Sequence, residues 1–194
     1  GEMIRLLERE GLAFGADTNA STSFSETNYR LDLPRNDPRL LDLALMLMRE
    51  TASELTFSAS AVEREKGVVL AEMRDRNTYA LRNLEDSMQF QYPGSLYANR
   101  MPIGTEPALK AATAERLKAF WAREYVPGHT TVVVIGDFDA AAAETKIRER
   151  FGDWRGPSPD PQPSAGPVNF ADKDRQDIFV DPALPERMEI SRNG

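Results

Sequence analysis

The sequence is most informative at residues 65–72, which read Glu-Lys-Gly-Val-Val-Leu-Ala-Glu. On an α-helix, seven steps of about 100° bring the chain within about 20° of two full turns, so Glu65 and Glu72 share one face. A carboxylate is an oxygen ligand for metals or a hydrogen-bond anchor, and two on one helix suit a ligand and its support. A solvated helix face, or an i,i+4 ion pair between Glu72 and Arg76, explains the same residues without any site.

The composition is that of an ordinary soluble globular protein. Of 194 residues, 41% are hydrophobic and 28% are charged, and the net charge is −7. This negative balance argues against nonspecific binding to nucleic acid or to anionic membranes. The chain has no cysteine, which excludes disulfides and thiolate metal sites. No apolar run approaches the roughly 18–20 residues of a membrane span.

The first third of the chain predicts a helix, a hairpin and a second helix. Apolar and charged residues alternate at helical spacing over residues 2–11, and Gly11 is a typical stop signal. Residues 12–24 and 27–33 have the pattern of two strands joined by a short turn, which indicates an antiparallel hairpin. Asp37 followed by Pro38 predicts the start of an apolar, buried helix over residues 39–54.

The rest of the chain predicts more helix than strand. Ser60 and Glu63 form a capping-box signature that opens a long helix running to about Leu84 and carrying Glu65 and Glu72. Thr113 is expected to cap a helix that runs through Tyr125. The remaining predicted elements are a β-branched strand at 130–135, a helix at 140–151, a stiff proline-rich linker at 157–167, and strands at 178–180 and 187–190. Together they predict an α+β fold with an antiparallel or mixed sheet covered by long helices.

Four segments in the correct order resemble the pitrilysin/insulinase family of zinc metallopeptidases, the inverzincins. Residues 14–22 are similar to the active-site edge strand of that family, and residues 62–72 to the helix that bears its third zinc ligand. The two other matching segments are residues 96–105 and 125–137, the second of which resembles the family's return strand. The resemblance covers residues 1 to about 154.

The resemblance implies a role for several residues. Glu72 matches the zinc-binding glutamate, and Glu65 matches the supporting glutamate one helical repeat earlier. Asn19, Ala20 and Ser21 match the strand whose backbone pairs with an extended peptide substrate, a form of β-augmentation. Without the resemblance, these three residues would be read as a polar edge strand.

One part of the family pattern is missing from this sequence. The His-x-x-Glu-His motif, which supplies two zinc ligands and the general base, is expected just upstream of Gly1 and does not occur in the 194 residues. The single histidine, His129, matches no family ligand and is expected to be structural. Because catalytic zinc sites use about three protein ligands, we expect this chain to be inactive alone and to bind no catalytic zinc.

The leading hypothesis is a fragment of a zinc endopeptidase that hydrolyses peptides or unfolded segments. Residues 1–156 would form a partial N-terminal peptidase domain, 157–167 the linker, and 168–194 the start of the next domain. The alternative is a non-catalytic scaffold or binding subunit of the same family. Expected partners are a peptide substrate, upstream and C-terminal parts of the same protein, and a second copy through an unpaired sheet edge. The compartment is left open, although many bacterial members of the family act outside the cytoplasm.

Overall fold

The computed structural model of the protein describes residues 2–12, 18–161, 163–169 and 175–183, with side chains from residue 5 onward. Its helices and strands are α1 (Glu2–Arg9), β1 (Thr18–Thr22), β2 (Thr27–Leu31), α2 (Pro38–Ser53), α3 (Ala59–Arg76), α4 (Tyr79–Gln91), α5 (Glu106–Lys110), α6 (Ala114–Glu124) and α7 (Ala140–Phe151). Two 3₁₀ turns lie at Leu96–Asn99 and Pro127–His129. The chain divides into a first unit, Gly1–Val62 with Thr113–Gln162, and a second unit, Glu63–Ala112 with Pro163–Gly194.

The first unit is built on a small leucine core beneath α1 and α2. Leu7, Leu12 and Leu47 are buried together. Gly11 ends α1 with a left-handed backbone at φ +81°, and the Leu12 N–H then donates to the Leu7 carbonyl oxygen at 2.9 Å. This is a Schellman-type helix end, which returns the apolar Leu12 to the core. The predicted stop at Gly11 is confirmed.

The predicted hairpin is also confirmed, with shorter strands. β1 and β2 are antiparallel, with Thr18 opposite Leu31 and Thr22 opposite Thr27. Leu31 and Leu33 pack against the leucine core, as the two-residue alternation of the sequence requires. Residues 13–17 of the predicted first strand lie outside the described residues.

Helices α2 and α7 pack against each other in the first unit. The Asp37 side chain caps α2 by accepting the Arg39 N–H at 2.9 Å, as predicted from the Asp-Pro pair. Arg150 of α7 then binds Asp42 of α2 through two bonds, Nε to Oδ1 at 2.9 Å and Nη2 to Oδ2 at 2.5 Å. Such a bidentate pair adds geometric specificity to the packing of the two helices.

The prediction of one long helix from Ser60 to about Leu84 is wrong. α3 ends at Arg76 and α4 begins at Tyr79. The Thr78 side chain accepts the Leu81 N–H at 3.3 Å, which makes Thr78 the N-cap of a new helix. At the other end, Ser58 rather than Ser60 accepts a first-turn N–H, that of Ala61 at 3.2 Å.

The predicted strand at residues 130–135 is not a strand in the structure. Among the described residues the sheet consists of β1 and β2 alone. Val133 and Ile135 are 69% and 91% exposed, although their β-branched side chains favour a sheet. Local propensity cannot form a strand without a neighbour to accept its ladder hydrogen bonds, and the described residues supply none here.

In the second unit, the loop after α4 is hydrogen-bonded to residues 165–169. The Leu96 N–H donates to the Ala165 carbonyl oxygen at 2.7 Å, and the Asn169 N–H to the Pro93 carbonyl oxygen at 2.8 Å. Residues 175–180 form neither helix nor strand, so the strand predicted at 178–180 is not present. The strand predicted at 187–190 lies outside the described residues.

The fold is therefore helix-rich, with a small antiparallel sheet that is compatible with the predicted α+β class. None of the helices in the described ranges combines the length and the apolar character needed to cross a bilayer.

We expect the isolated chain to self-associate through residues 131–135, because this segment forms no helix or strand and exposes the β-branched side chains of Val133 and Ile135, which favour strand pairing. Analytical ultracentrifugation over a concentration series should show a dimer or larger species for the wild-type chain. The double variant V133K/I135K should shift it towards monomer. V68K/L84K, which changes two exposed apolar residues of helices α3 and α4, should not. A wild-type chain that is monomeric at every concentration would refute this.

Candidate functional site

Helix α3 positions the two glutamates singled out in the sequence. Glu65 and Glu72 both lie within its unbroken span from Ala59 to Arg76. Seven residues of helix separate them by about 10 Å along the axis on one face. At that separation along the axis the two carboxylates are not placed to bind one ion together as neighbouring ligands.

Glu72 already has a partner on its own helix. Its Oε1 lies 2.6 Å from Nη2 of Arg76, one turn later, and the Glu72 side chain is 42% exposed. This is the ion pair that the sequence suggested as the simpler explanation of Glu72. Exposed pairs of this kind contribute little net free energy, so a partner of higher charge would readily displace Arg76.

The described residues do not complete a zinc site. Within them, no group of three or more histidine, aspartate or glutamate side chains lies close enough together to hold a metal ion. Glu72 supplies one oxygen ligand, whereas a catalytic zinc takes about three ligands from the protein. The described residues therefore fit zinc only if other residues supply most of its ligands.

Strand β1 carries Asn19, Ala20 and Ser21 at an edge of the sheet. Ala20 lies opposite Tyr29 in the register, and the Ser23 N–H donates to the Glu26 carbonyl oxygen at 2.9 Å in the connecting turn. Counting the antiparallel alternation from that bond, the N–H and C=O of Ala20 face away from β2. This outer edge is able to pair with an extended peptide.

The Asn19 side chain covers a backbone donor at this edge. Its Oδ1 accepts the Ala20 N–H at 2.8 Å. A local bond of this type satisfies an edge donor that would otherwise be open to an incoming strand. A peptide that paired with β1 would therefore have to displace Asn19 Oδ1 from the Ala20 N–H.

A tyrosine pair that sequence reasoning missed holds the hairpin in place. The hydroxyl of Tyr29 in β2 lies 2.7 Å from that of Tyr125, just after α6, and the two rings meet edge to face at 6.3 Å. Burial, followed by the hydrogen bond with Tyr125, raises the pKa of Tyr29. Trp121 stacks behind Tyr125 and donates its Nε1–H to the Thr51 carbonyl oxygen at 3.2 Å. The signal in the sequence was the spacing of four between Trp121 and Tyr125, but Tyr29 lies 96 positions away from Tyr125.

His129 has a structural environment. Its Nε2 lies 2.9 Å from the Asp160 carbonyl oxygen, and its Nδ1 lies 3.3 Å from that of Glu124. Both ring nitrogens thus face backbone oxygens, in keeping with the structural role expected for this residue.

The first unit also contains an open groove that the sequence did not suggest. Its volume is about 330 Å³, and its walls include Arg49, Trp121, Tyr125, Trp154 and Arg155. The Arg49 guanidinium lies 5.4 Å from the centre of the Trp154 ring, and its Nη2 lies 3.4 Å from Asp153 Oδ1. These contacts turn the guanidinium towards the wall of the groove.

The candidate residues fall into two groups. Asn19, Ala20 and Ser21 belong to the first unit, and Glu65 and Glu72 belong to the second. The first group lies on a strand edge and the second on one face of a helix, and the roles expected for both groups stay predictions.

Two family models match the sequence. The model described as Insulinase (Peptidase family M16) matches residues 1–93, and the model described as Peptidase M16 inactive domain matches residues 111–189. All five candidate site residues lie in the segment matched by the first model.

Several similar proteins are named as proteases. A zinc protease PQQL-like protein of Arabidopsis thaliana is 33% identical over 93% of this chain and 19% of its own length. A probable zinc protease PqqL of Haemophilus influenzae is 35% identical over 77% of this chain and 16% of its own length. The solved first half of the periplasmic protease PqqL from Escherichia coli has a TM-score of 0.80 at 27% identity, over 87% of this chain and 36% of that one. The chain thus spans less than a fifth of the two relatives compared by sequence.

Removing the tyrosine hydroxyl bond should loosen the hairpin. We expect Y29F to lose about 1 kcal/mol of local stability, and amide hydrogen exchange in β1 to become about fivefold faster. Exchange monitored by NMR at Asn19 and Ser21 tests this. Y79F, which removes the same group from a residue of α4, is the control and should leave β1 unchanged. Equal exchange rates in Y29F and the wild type would show that the pair does not anchor the hairpin.

Proposed function

Because the chain belongs to the pitrilysin/insulinase (M16) family of metallopeptidases, we propose that it is a section of a zinc-dependent endopeptidase that hydrolyses peptides or unfolded segments. The observation that carries the proposal is the face of α3, where Glu72 and Glu65 stand seven residues apart on one unbroken helix. The part of the chain matched by the insulinase model includes this helix.

In this proposal Glu72 is a zinc ligand and Glu65 supports it. A ligating carboxylate needs neighbours that fix its orientation, and the residues that do so affect metal affinity nearly as strongly as the ligands. Glu65 is exposed and forms no ion pair with the residues that the structure describes, so its carboxylate is available for such a bond. When bound, zinc would polarise the scissile carbonyl group and acidify a water molecule.

Substrate would bind by its backbone. The outer edge of β1, with Asn19, Ala20 and Ser21, supports pairing with an extended peptide, in which main-chain bonds provide affinity with little sequence selectivity. The Asn19 side chain, which accepts the Ala20 N–H in this structure, would yield that donor to the substrate carbonyl. Peptides and unfolded segments are the substrates that such an edge admits, because a folded substrate has its backbone groups paired.

The chain alone would lack activity. One carboxylate cannot hold a catalytic zinc ion, and the described residues offer no further ligand group around Glu72. The upstream and C-terminal parts of the same protein would supply the missing ligands, the general base and the opposite wall of the site. Residues 1–156 would then be part of the N-terminal peptidase domain, 157–167 a linker, and 168–194 the start of the following domain.

The periplasmic location named for the Escherichia coli protein supports an extracytoplasmic site of action for this protein. Within the family a second function is also supported by one observation. Residues 111–189 match a model of an inactive domain, which favours a scaffold or binding subunit. The presence of both Glu65 and Glu72 favours the peptidase.

The isolated chain is expected to be inactive. With or without added zinc, it should not cleave a quenched fluorescent peptide above the buffer rate, because a single protein ligand does not retain the metal. Fluorescence assays and elemental analysis after dialysis test both statements. Cleavage that a chelator abolishes would contradict them.

In the parent protein, the two glutamates are expected to differ in effect. E72Q should lose bound zinc and peptide hydrolysis together, while E65Q should lower zinc affinity or activity by about 10–100-fold. The matched control is E63Q, since Glu63 lies on the same helix and pairs with Lys66 at 3.0 Å. Full zinc content and activity in E72Q would remove the basis of the proposal.

A further inference from the structure

Arg82 of α4 is bonded both to the end of α3 and to a segment near the C-terminal end of the described residues. Its Nη1 donates to the carbonyl oxygen and to the side-chain Oδ1 of Asn77, both at 2.8 Å. Its Nε donates to Asp181 Oδ2 at 2.5 Å, and its Nη2 donates to Asp181 Oδ1 at 2.9 Å. One guanidinium group therefore joins a residue before α4 to a residue far after it.

The bonds to Asn77 secure the end of α3. Asn77 directly follows the last residue of that helix, Arg76. At this corner the Asn77 N–H donates to the Arg74 carbonyl oxygen at 3.2 Å, and the Thr78 N–H donates to the Arg76 carbonyl oxygen at 2.7 Å. The Asn77 carbonyl oxygen accepts from Arg82. A cation that donates to a carbonyl oxygen at a helix C-terminus also interacts favourably with the helix dipole, so Arg82 stabilises the last turn of α3.

Asp181 fixes the guanidinium that makes these bonds. The Asp181 side chain is only 7% exposed, and its Oδ1 also accepts the Ala183 N–H at 2.9 Å. The bonds from Arg82, followed by the bond from Ala183, lower the pKa of Asp181, so this carboxylate is ionised at neutral pH. A bidentate pair fixes the plane of a guanidinium as well as its position. Without the pair, the long Arg82 side chain would lose more conformational entropy when it binds Asn77.

The segment that carries Asp181 has a second anchor on α4. The Arg175 guanidinium lies 5.0 Å from the centre of the Phe90 ring, and its Nη1 donates to the Phe90 carbonyl oxygen at 3.3 Å. Cation–π contacts of this kind are attractive. Residues 175–183 are thus held on α4 at two places, and Asp181 is presented to Arg82 from a fixed segment.

The end of α3 lies close to the proposed zinc ligand. Five positions separate Glu72 from Asn77, which is about 7.5 Å along a helix axis. Because α3 is unbroken from Ala59 to Arg76, a shift of its end moves Glu72 with it. A functional group has to be held within about 0.5 Å of its productive position. Contacts that fix the last turn of α3 therefore affect where the Glu72 carboxylate lies.

We propose that Asp181 and Arg82 are positioning residues for Glu72: Asp181 orients the Arg82 guanidinium, and Arg82 fixes the end of the helix that carries Glu72. This inference rests on the peptidase function proposed above. It adds that a residue matched by the inactive-domain model helps to build the metal site, since Asp181 lies within residues 111–189 and Glu72 within residues 1–93.

A second bidentate pair in the chain provides the comparison with a purely structural role. Arg150 binds Asp42 through two bonds and joins α7 to α2. That pair lies in the first unit, whereas Glu72 lies in the second. Removal of either pair is expected to affect stability, but only removal of the Arg82–Asp181 pair should change the metal site.

Amide hydrogen exchange in this chain tests the contact with α3. D181N keeps the size of the side chain but removes the charge that orients the guanidinium. It should accelerate exchange at residues 75–77 by about fivefold, and R82Q should do the same. D181N should add no further effect in an R82Q background, because Asp181 acts through Arg82. R150Q should leave these amides unchanged, and circular dichroism checks that each variant remains helical.

Zinc affinity in the parent protein tests the link to the metal site. The dissociation constant for zinc, measured by competition with a chromophoric chelator, should rise about tenfold in D181N and in R82Q. R82K keeps the charge but not the planar fork, so its zinc affinity should lie between those of R82Q and the wild type. At saturating zinc, kcat should fall in D181N and R82Q while KM for a quenched peptide stays unchanged, because the proposed substrate edge lies on β1. R150Q should retain wild-type zinc affinity even where its melting temperature falls.

The outcomes separate this inference from the function on which it rests. Loss of zinc in E72Q with wild-type zinc affinity in D181N and R82Q would overturn the inference and leave the peptidase function intact. Full zinc content in E72Q would overturn both. Unchanged exchange at residues 75–77 in D181N, or an equal loss of zinc affinity in R150Q, would also overturn the inference.

Discussion

The chemistry of this chain depends on one constraint of helix geometry. Residues seven positions apart on an unbroken α-helix face the same way, and α3 is unbroken from Ala59 to Arg76. This aligns Glu65 with Glu72 but also spaces them by two turns, so they cannot share a metal ion as equal ligands. If Glu72 ligates zinc as proposed, α3 contributes one ligand and the remaining ligands come from another part of the protein. The incomplete donor set around Glu72 and the fraction of the relatives' length that the chain spans lead to the same conclusion.

Two segments of the first unit, β1 and residues 131–135, leave backbone groups without a partner strand among the described residues. β1 has no partner strand on its outer side, and residues 131–135 pair with no strand, among the residues that the structure describes. At β1 the polar Asn19 side chain covers the Ala20 N–H. At residues 131–135 the exposed side chains Val133 and Ile135 are apolar. An edge that is covered reversibly suits transient pairing with a substrate, whereas an apolar edge suits permanent pairing with another part of a protein.

Local signals in the sequence predicted local structure well. Asp37, Thr113 and Gly11 mark helix ends as expected, because a cap depends on residues within about one turn of itself. The break at Asn77 and Thr78 was missed because the apolar pattern continues across it. The Thr78 side chain caps the new helix there by accepting the Leu81 N–H. The strand at 130–135 was wrongly predicted, since a strand requires a partner that sequence propensity cannot supply. The roles expected for Glu65, Glu72 and the β1 residues come from family resemblance and stay predictions, because spacing alone left the solvated alternative open.

Contacts between distant residues were beyond the reach of sequence patterns. The Tyr29–Tyr125 and Arg82–Asp181 pairs link positions separated by 96 and 99 residues, and no periodicity encodes them. The ion pairs of the second unit show why context matters more than residue type. Glu72 and Asp181 both bind an arginine, yet the Glu72 side chain is 42% exposed and that of Asp181 is 7% exposed. Water competes with Arg76 for the first and is largely excluded from the second. Glu72 is therefore able to exchange its partner, whereas Asp181 fixes the segment on which it lies.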